Sequence, residues 1–363
     1  AVWKDLISRF DIAAVTTARD HEPYARTRDG QVAELLAAHG IEFVTVKDIS
    51  IHERDEVMKD DGTPYTVFTP YARKWRAILK SDALLPFPSE NAMDRLWRGA
   101  SFHFPSLAEI GFASTDLLVP TTELAIDVLK NYENTRNLPA IEGTSRMSIH
   151  LRFGTVSTRQ LVRTAFEQSP GFLNELIWRE FFMQILWHFP NPERAFKPAY
   201  DRIVWQHDET AFEAWCEGRT GYPLVDAGMR ELKATGHMHN RVRMVVASFL
   251  CKHLLLDWRL GEAWFASELL DFELSSNNGN WQWASGSGCD AAPYFRVFNP
   301  ELQQQRFDPG LKYVKRWVPE HGTADYVRRM VVHASARLRA IATYKAGLSG
   351  TNAEHDTQNE LFA

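Results

Sequence analysis

Three cysteines in 363 residues, Cys216, Cys251 and Cys289, are too few, too far apart and odd in number for a disulfide framework or a zinc knuckle. Their expected place is as small buried hydrophobes in a reducing compartment, and the cytoplasm is the expected location. No apolar run reaches the length of a membrane span and no leader pattern is present, so no membrane partner is expected. No internal repeat recurs. Neither charge is in great excess: 41 basic against 46 acidic residues leave a net charge of −5. That balance excludes a protein that coats nucleic acid indiscriminately, and any DNA contact must come from a local basic surface. Hydrophobic content of 45% and charged content of 24% are ordinary for a globular chain long enough for two domains or one large one.

Tryptophan, by contrast, is plentiful. Eight of the twelve fall between Trp178 and Trp283. They surround one unusual stretch, Asp271 to Trp283, DFELSSNNGNWQW, in which the polar run Ser275 to Asn280 breaks any hydrophobic period. Gly-Ser-Gly and then Cys289 to Phe295 follow it, which predicts a helix end opening into a loop. Amide groups beside indole faces suit a planar heterocycle with donor and acceptor edges. A polar helix end whose tryptophans simply pack inward is the alternative, and composition does not separate the two.

Along the chain, residues 1–50 predict a helix, a strand over Asp11 to Thr17, a helix over Arg28 to His39 stopped by Gly40, and a strand over Glu42 to Val46. This is one β-α-β crossover. Parallel sheets are normally covered on both faces and two strands cannot achieve that, so the α/β unit is expected to be truncated. Residues 51–118 carry many turn signals and one helix near Pro70 to Lys80. From Pro120 almost to Tyr344 the pattern is helical, with loops at Pro190 to Pro198 and Gly286 to Pro300. The polar tail from Ser349 is expected to be disordered. The expected boundaries are 1–67, 68–118 (a connector), 119–346 and 347–363.

Three helical segments carry candidate chemistry. Glu142 to Ser148, EGTSRMS, precedes a helix ending near Gly154, where hydroxyls and free N–H groups can hold an anion or make an ordinary cap. Glu175, Trp178, Arg179 and Phe182 share one face of a helix over Phe172 to Phe189. That helix is apolar nearly all round, so its charges need strong partners, although Glu175 and Arg179 could form a plain i,i+4 pair. Asn240, Arg243, Met244 and Ala247 share a face of a helix over His237 to Trp258. His237 and His239 form an H-x-H without further ligands at zinc spacing, and no metal is expected.

DFELSSNNGNWQW with CDAAPYFRVFNP from Cys289, EGTSRMS, NELIWREF from Asn174, TGYPLVDAGMR from Thr220 and MHNRVRM from Met238 together resemble the photolyase and cryptochrome family. These motifs stand in the family's order over roughly Tyr132 to Tyr344. The resemblance implies an α/β N-terminal Rossmann-like domain, truncated here, followed by a large all-α FAD-binding domain. Within the family the chain is most similar to the photolyases that reverse cyclobutane pyrimidine dimers. Those that repair (6-4) photoproducts carry histidines at the positions of Asn240 and Met244. Plant cryptochromes carry aspartate at that of Asn277.

The resemblance implies FAD contacts at Tyr132, Thr144, Ser145, Arg146, Met147, Ser148, Arg179, Arg243, Asp271, Glu273 and Asn277. Asn277 would face flavin N5 and Arg243 would pair with Asp271. Glu273 departs from the family's frequent aspartate. The dimer would meet Glu175, Trp178, Asn240, Met244 and Trp283, while Arg241 would reach a DNA phosphate. Trp281, Trp258 and Trp215 would carry an electron from the surface. The implied activity is blue-light repair of UV-damaged DNA, in which excited reduced FAD passes an electron to a flipped-out dimer and recovers it. The alternative is a photoreceptor of the cryptochrome type, whose long C-terminal extensions the short tail here does not match. A monomer is expected, associated with the nucleoid when bound to damage. A second antenna chromophore, of folate or deazaflavin type, is not assignable from these residues.

Overall fold

The computed structural model describes residues 2–101 and 103–349. After a short helix, Val2–Arg9, strands β1 (Ala14–Ala18) and β2 (Glu42–Val46) pair in parallel, Ala14 opposite Glu42 and Ala18 opposite Val46. They form a two-stranded sheet among the described residues. The crossover helix, Pro23–Ala37, starts five residues before the expected Arg28, because Pro23 sits in its first turn, where a missing N–H costs nothing. Gly40, at φ 71°, turns the chain into β2.

The Phe68–Ile78 helix lies close to the expected place but is not part of a connector. Tyr71, Ala72 and Trp75 are buried in the same core as Phe172, Ile177 and Phe181. Trp75 also donates from Nε1 to Glu180 Oε2 at 2.5 Å. Over residues 79–118 the regular elements are short 3₁₀ turns, and α-helix is absent there among the described residues. At the other end the His333–Ser349 helix runs past residue 346. The rest of the expected disordered tail, 350–363, lies outside the described residues.

Most of the remaining chain is helical. Pro170–His188 opens on a Ser169 cap, with Pro170 in the first turn. The single helix expected over His237 to Trp258 is instead three elements. Asn240–Ser248 gives way to a π turn over Phe249–Leu254, Leu255 adopts the left-handed region at φ 54°, and Asp257 caps a new helix, Trp258–Glu268. The run FLCKHLLL is buried on every side, so periodicity carried no mark of the break.

DFELSSNNGNWQW folds as the helix Leu274–Ser285. Its inward positions Ser275, Asn278, Trp281, Gln282 and Ser285 follow helical spacing, but all except Trp281 are polar. Asn278 donates to Pro192 O at 2.8 Å, and Gln282 donates to Arg194 O at 3.1 Å and accepts from Phe196 N at 2.7 Å. Two glycines let neighbouring helices approach: a Cβ on Gly279 would lie 2.2 Å from the Phe182 ring, and one on Gly261 2.2 Å from Trp281. No helix among the described residues is long and apolar enough to cross a membrane.

Candidate active site

A cavity of about 470 Å³ opens between Pro170–His188, Asn240–Ser248, Leu274–Ser285 and the turn leading into the helix Ser148–Phe153. Glu175, Trp178 and Arg179 line one wall, Asn240, Arg243 and Met244 a second, and Asp271, Glu273, Asn277, Trp281 and Trp283 a third. Tyr132 and the run Thr144, Ser145, Arg146, Met147 and Ser148 complete it. Arg241, Trp258 and Trp215 stand outside.

The turn into Ser148–Phe153 is bent by Arg146 at φ 52°, and no side chain caps the helix start. Its first N–H groups are therefore not taken up by the ordinary cap that the sequence also allowed. On Pro170–His188 the plain Glu175–Arg179 pair does not form. Glu175 meets Arg136 at 2.7 Å, while Arg179 donates to Ile49 O at 2.7 Å. Burial lowers the Arg179 guanidinium pKa, opposed by Glu273 and Glu180. Trp178 is stacked on Phe68, rings 3.6 Å apart and 5° from parallel, which fixes the indole plane at the cavity wall.

Arg243 donates to both oxygens of Asp271, at 3.1 and 2.9 Å, and from Nε to Met238 O at 2.7 Å. Burial works to raise the Asp271 carboxyl, but Arg243 and Ser148 outweigh it and hold the group below its ordinary range. Asn277 spends its Nδ2 hydrogens on Glu262 O at 3.1 Å and Glu262 Oε1 at 2.9 Å. Its Oδ1 is left as an acceptor. Glu273 caps its helix: it accepts from Ser275 N and Ser276 N, each at 3.0 Å, and from both serine hydroxyls at 2.7 Å. His21 Nε2 meets the same carboxylate at 3.0 Å. Despite burial, these bonds and Arg179 hold Glu273 far below the usual carboxylate range.

Arg241 is held by Asn137 Oδ1 at 2.7 Å and covers the Phe307 ring. Burial and then the nearby charges of Arg136, Arg306 and Arg296 lower its pKa. Trp215 is fully buried, which contradicts a place at the surface end of an electron path. It packs 6.1 Å from Trp281, ring to ring, as a core residue. Trp205 is partly exposed, and its neighbour Gln206 pairs with Leu255 and Leu256, two residues short of Trp258. Trp205 lies outside any periodic element, and Arg136 sits in an irregular turn, so neither carried a pattern in the sequence.

His237 and His239 do not come together as ligands: His237 faces Glu231 at 3.7 Å, and His239 caps Asn240–Ser248. Among the described residues the grouping with metal-ligand spacing is Asp20, His21 and Glu22, in the loop after β1.

A cavity walled mainly by helices, with an arginine–carboxylate pair, indole walls and an uncapped helix start, thus stands in a chain that also carries a parallel β-α-β unit. Residues 172–325 match the FAD binding domain of DNA photolyase, and residues 1–91 match the DNA photolyase family model. Deoxyribodipyrimidine photo-lyase from Halobacterium salinarum is 39% identical over 345 residues, covering 88% of this chain and 72% of that protein. A bacterial class III photolyase from Agrobacterium tumefaciens superposes with a TM-score of 0.80 at 34% identity, over 96% of this chain and 82% of that one. An archaeal photolyase from Sulfolobus tokodaii, solved with two FAD molecules, gives 0.76 at 29% identity, over 94% and 81%. The chain belongs to the DNA photolyase family.

Proposed function

We propose that the protein is a deoxyribodipyrimidine photo-lyase that holds FAD in the 470 Å³ cavity and uses blue light to reverse cyclobutane pyrimidine dimers in DNA. The observation that carries this is the meeting, in one cavity, of Glu175, Trp178, Asn240, Met244 and Trp283 with the Arg243–Asp271 pair and Asn277. The donor set fits a flavin dinucleotide. Serine and threonine hydroxyls and open helix N–H groups suit a diphosphate, and the volume is in the range of cofactor sites, about 300–1,000 Å³.

When bound and reduced, FAD supplies light absorption and the single electron that opens the cyclobutane ring. The chain's residues position and protect. Thr144, Ser145 and Ser148 hold the diphosphate, with Arg146 and Met147 shaping the turn and Tyr132 closing that end. Arg243, fixed by Asp271 and Met238 O, would supply a steady positive charge to a bound flavin. Asn277 Oδ1 would be free to accept a hydrogen bond from it without adding charge. Arg179 and Glu273 brace the wall between them.

Trp178, stiffened by Phe68, and Trp283 present indole surfaces to an extruded dimer. Glu175 accepts from an imide N–H, and Asn240 and Met244 fill the remaining contact. Arg241 and its neighbouring arginines take the phosphates, which positions the lesion without reading sequence. Trp281, Trp258 and Trp205 form the path by which an electron enters from the surface. The N-terminal β-α-β unit belongs to a Rossmann-like antenna domain, and the protein acts as a cytoplasmic monomer. An oligonucleotide carrying one thymine cyclobutane dimer tests the reading. Thymine absorbance recovers in blue light and not in darkness; no recovery despite bound, photoreducible flavin moves the reading to a photoreceptor.

A further inference from the structure

The loop between β1 and the Pro23–Ala37 helix reaches two walls of the cavity at once. His21 Nε2 meets Glu273 Oε1 at 3.0 Å, and Glu22 Oε1 meets Arg152 Nη1 at 3.3 Å. Glu273 is the cap of Leu274–Ser285, the helix that carries Asn277. Arg152 lies on Ser148–Phe153, the helix whose start faces the cavity at Ser148. Both Glu273 and Arg152 line the cavity.

The loop itself is tied down on both sides. Asp20 Oδ1 accepts from Glu22 N at 3.0 Å. Arg19 bonds Glu53 and Thr45 O, at 2.6 and 2.7 Å. Arg26, one turn on, donates to Trp187 O at 3.0 Å and covers the Trp187 ring. Side chains at the His21–Glu273 contact are about nine-tenths buried, 11% and 9% exposed, so water competes poorly for that bond. The glutamate at 273 supplies the reach: it satisfies two helix N–H groups and still extends to His21.

We infer that His21 and Glu22 are positioning residues that clasp the two cofactor-bearing helices together, so that this loop of the α/β unit sets how long the flavin stays bound. The inference rests on the reading of the cavity as an FAD site. Neither side chain touches the reacting atoms. Each acts through the residue it holds, Glu273 on one wall and Arg152 on the other. Breaking one arm loosens one wall, and breaking both frees the walls to part.

Flavin release tests this directly in the dark on purified holoprotein. Wild type, H21F, H21Q, E22Q and the double variant H21F/E22Q are freed of unbound flavin, diluted, and followed by the rise in flavin fluorescence. H21F should release flavin about tenfold faster, the order expected for losing one hydrogen bond to a charged group. H21Q, whose amide nitrogen replaces Nε2, should stay within about twofold of wild type, and E22Q should release about two- to threefold faster. The double variant should exceed either single one. Should H21F fail to fold, H21F is set aside and E22Q together with an R152Q variant decides, because both must release faster than wild type. Release at the wild-type rate from H21F, E22Q and the double variant overturns the clasp alone. A wild type that retains no flavin overturns the reading of the cavity, and the clasp with it.

Discussion

Glu175 and Arg136 form an ion pair at 2.7 Å on the cavity wall, in place of the Glu175–Arg179 helix pair that sequence spacing permits. The pairing joins the carboxylate proposed to read the dimer to a guanidinium in the arginine cluster proposed to hold phosphates. Lesion recognition and backbone binding should therefore be coupled. E175A should weaken binding to a dimer-containing oligonucleotide by about 10–100-fold and leave undamaged DNA nearly unaffected. R136Q should weaken both, and its effect on the dimer should shrink in the E175A background. Dark binding titrations on the four proteins check the cycle; additive effects would show the two residues act independently.

The Arg243–Asp271 pair should matter more for stability than its single contact suggests, because removing the arginine strands a buried carboxylate. R243A should cost about 3 kcal/mol or more, and D271N less. The pH dependence has a defined sign. Asp271 is depressed when folded, so its contribution is present above the ordinary aspartate value and lost as pH falls through the folded one. Denaturant midpoints across about pH 6 to 3 should fall less steeply in D271N than in wild type.

A second pH effect arises away from the cavity. His253 Nε2 lies 2.8 Å from His333 Nδ1, tying the π turn to the start of His333–Ser349. Burial first, then His333 and Arg339, push His253 down to about 3. The folded state excludes a proton that the unfolded chain takes up near its ordinary value. Stability is therefore full above about pH 6.5 and declines as pH falls towards the folded value. An H253N variant should be less stable at pH 7 and lose less than wild type between pH 7 and 5, as read by urea unfolding.

Trp205 and Trp215 should separate cleanly in photoreduction. W205F should slow the light-driven reduction of bound oxidised flavin by an external reductant by about tenfold or more, because the path from the surface is cut. W215F should lower the unfolding midpoint through packing and leave the photoreduction rate within about twofold of wild type. Steady illumination with absorbance detection compares them.

Much of this was legible in the sequence, and the failures have physical causes. The β-α-β crossover showed through ordinary turn chemistry at Gly40. Glu175, Trp178 and Arg179, and likewise Asn240, Arg243 and Met244, were readable as shared faces, and each set does line the cavity. The break after Ser248 was hidden, since a π turn within a wholly buried segment leaves hydrophobicity unchanged. Leu274–Ser285 looked irregular because its inward face is built from hydrogen-bonded Asn278 and Gln282. Trp215 was misplaced because distance to the surface is not written in local sequence. His21 and Arg136 were missed because their partners lie 252 and 39 residues away.

The most direct test of the central claim sets two lesions against each other. Protein with reduced FAD is illuminated with oligonucleotides carrying either a thymine cyclobutane dimer or a (6-4) photoproduct, beside dark controls, and intact thymines are counted by chromatography. With Asn240 and Met244 where (6-4) enzymes carry histidines, the account predicts light-dependent recovery of the cyclobutane dimer alone. Recovery of neither lesion with flavin bound and reduced, or of the (6-4) photoproduct alone, would contradict it.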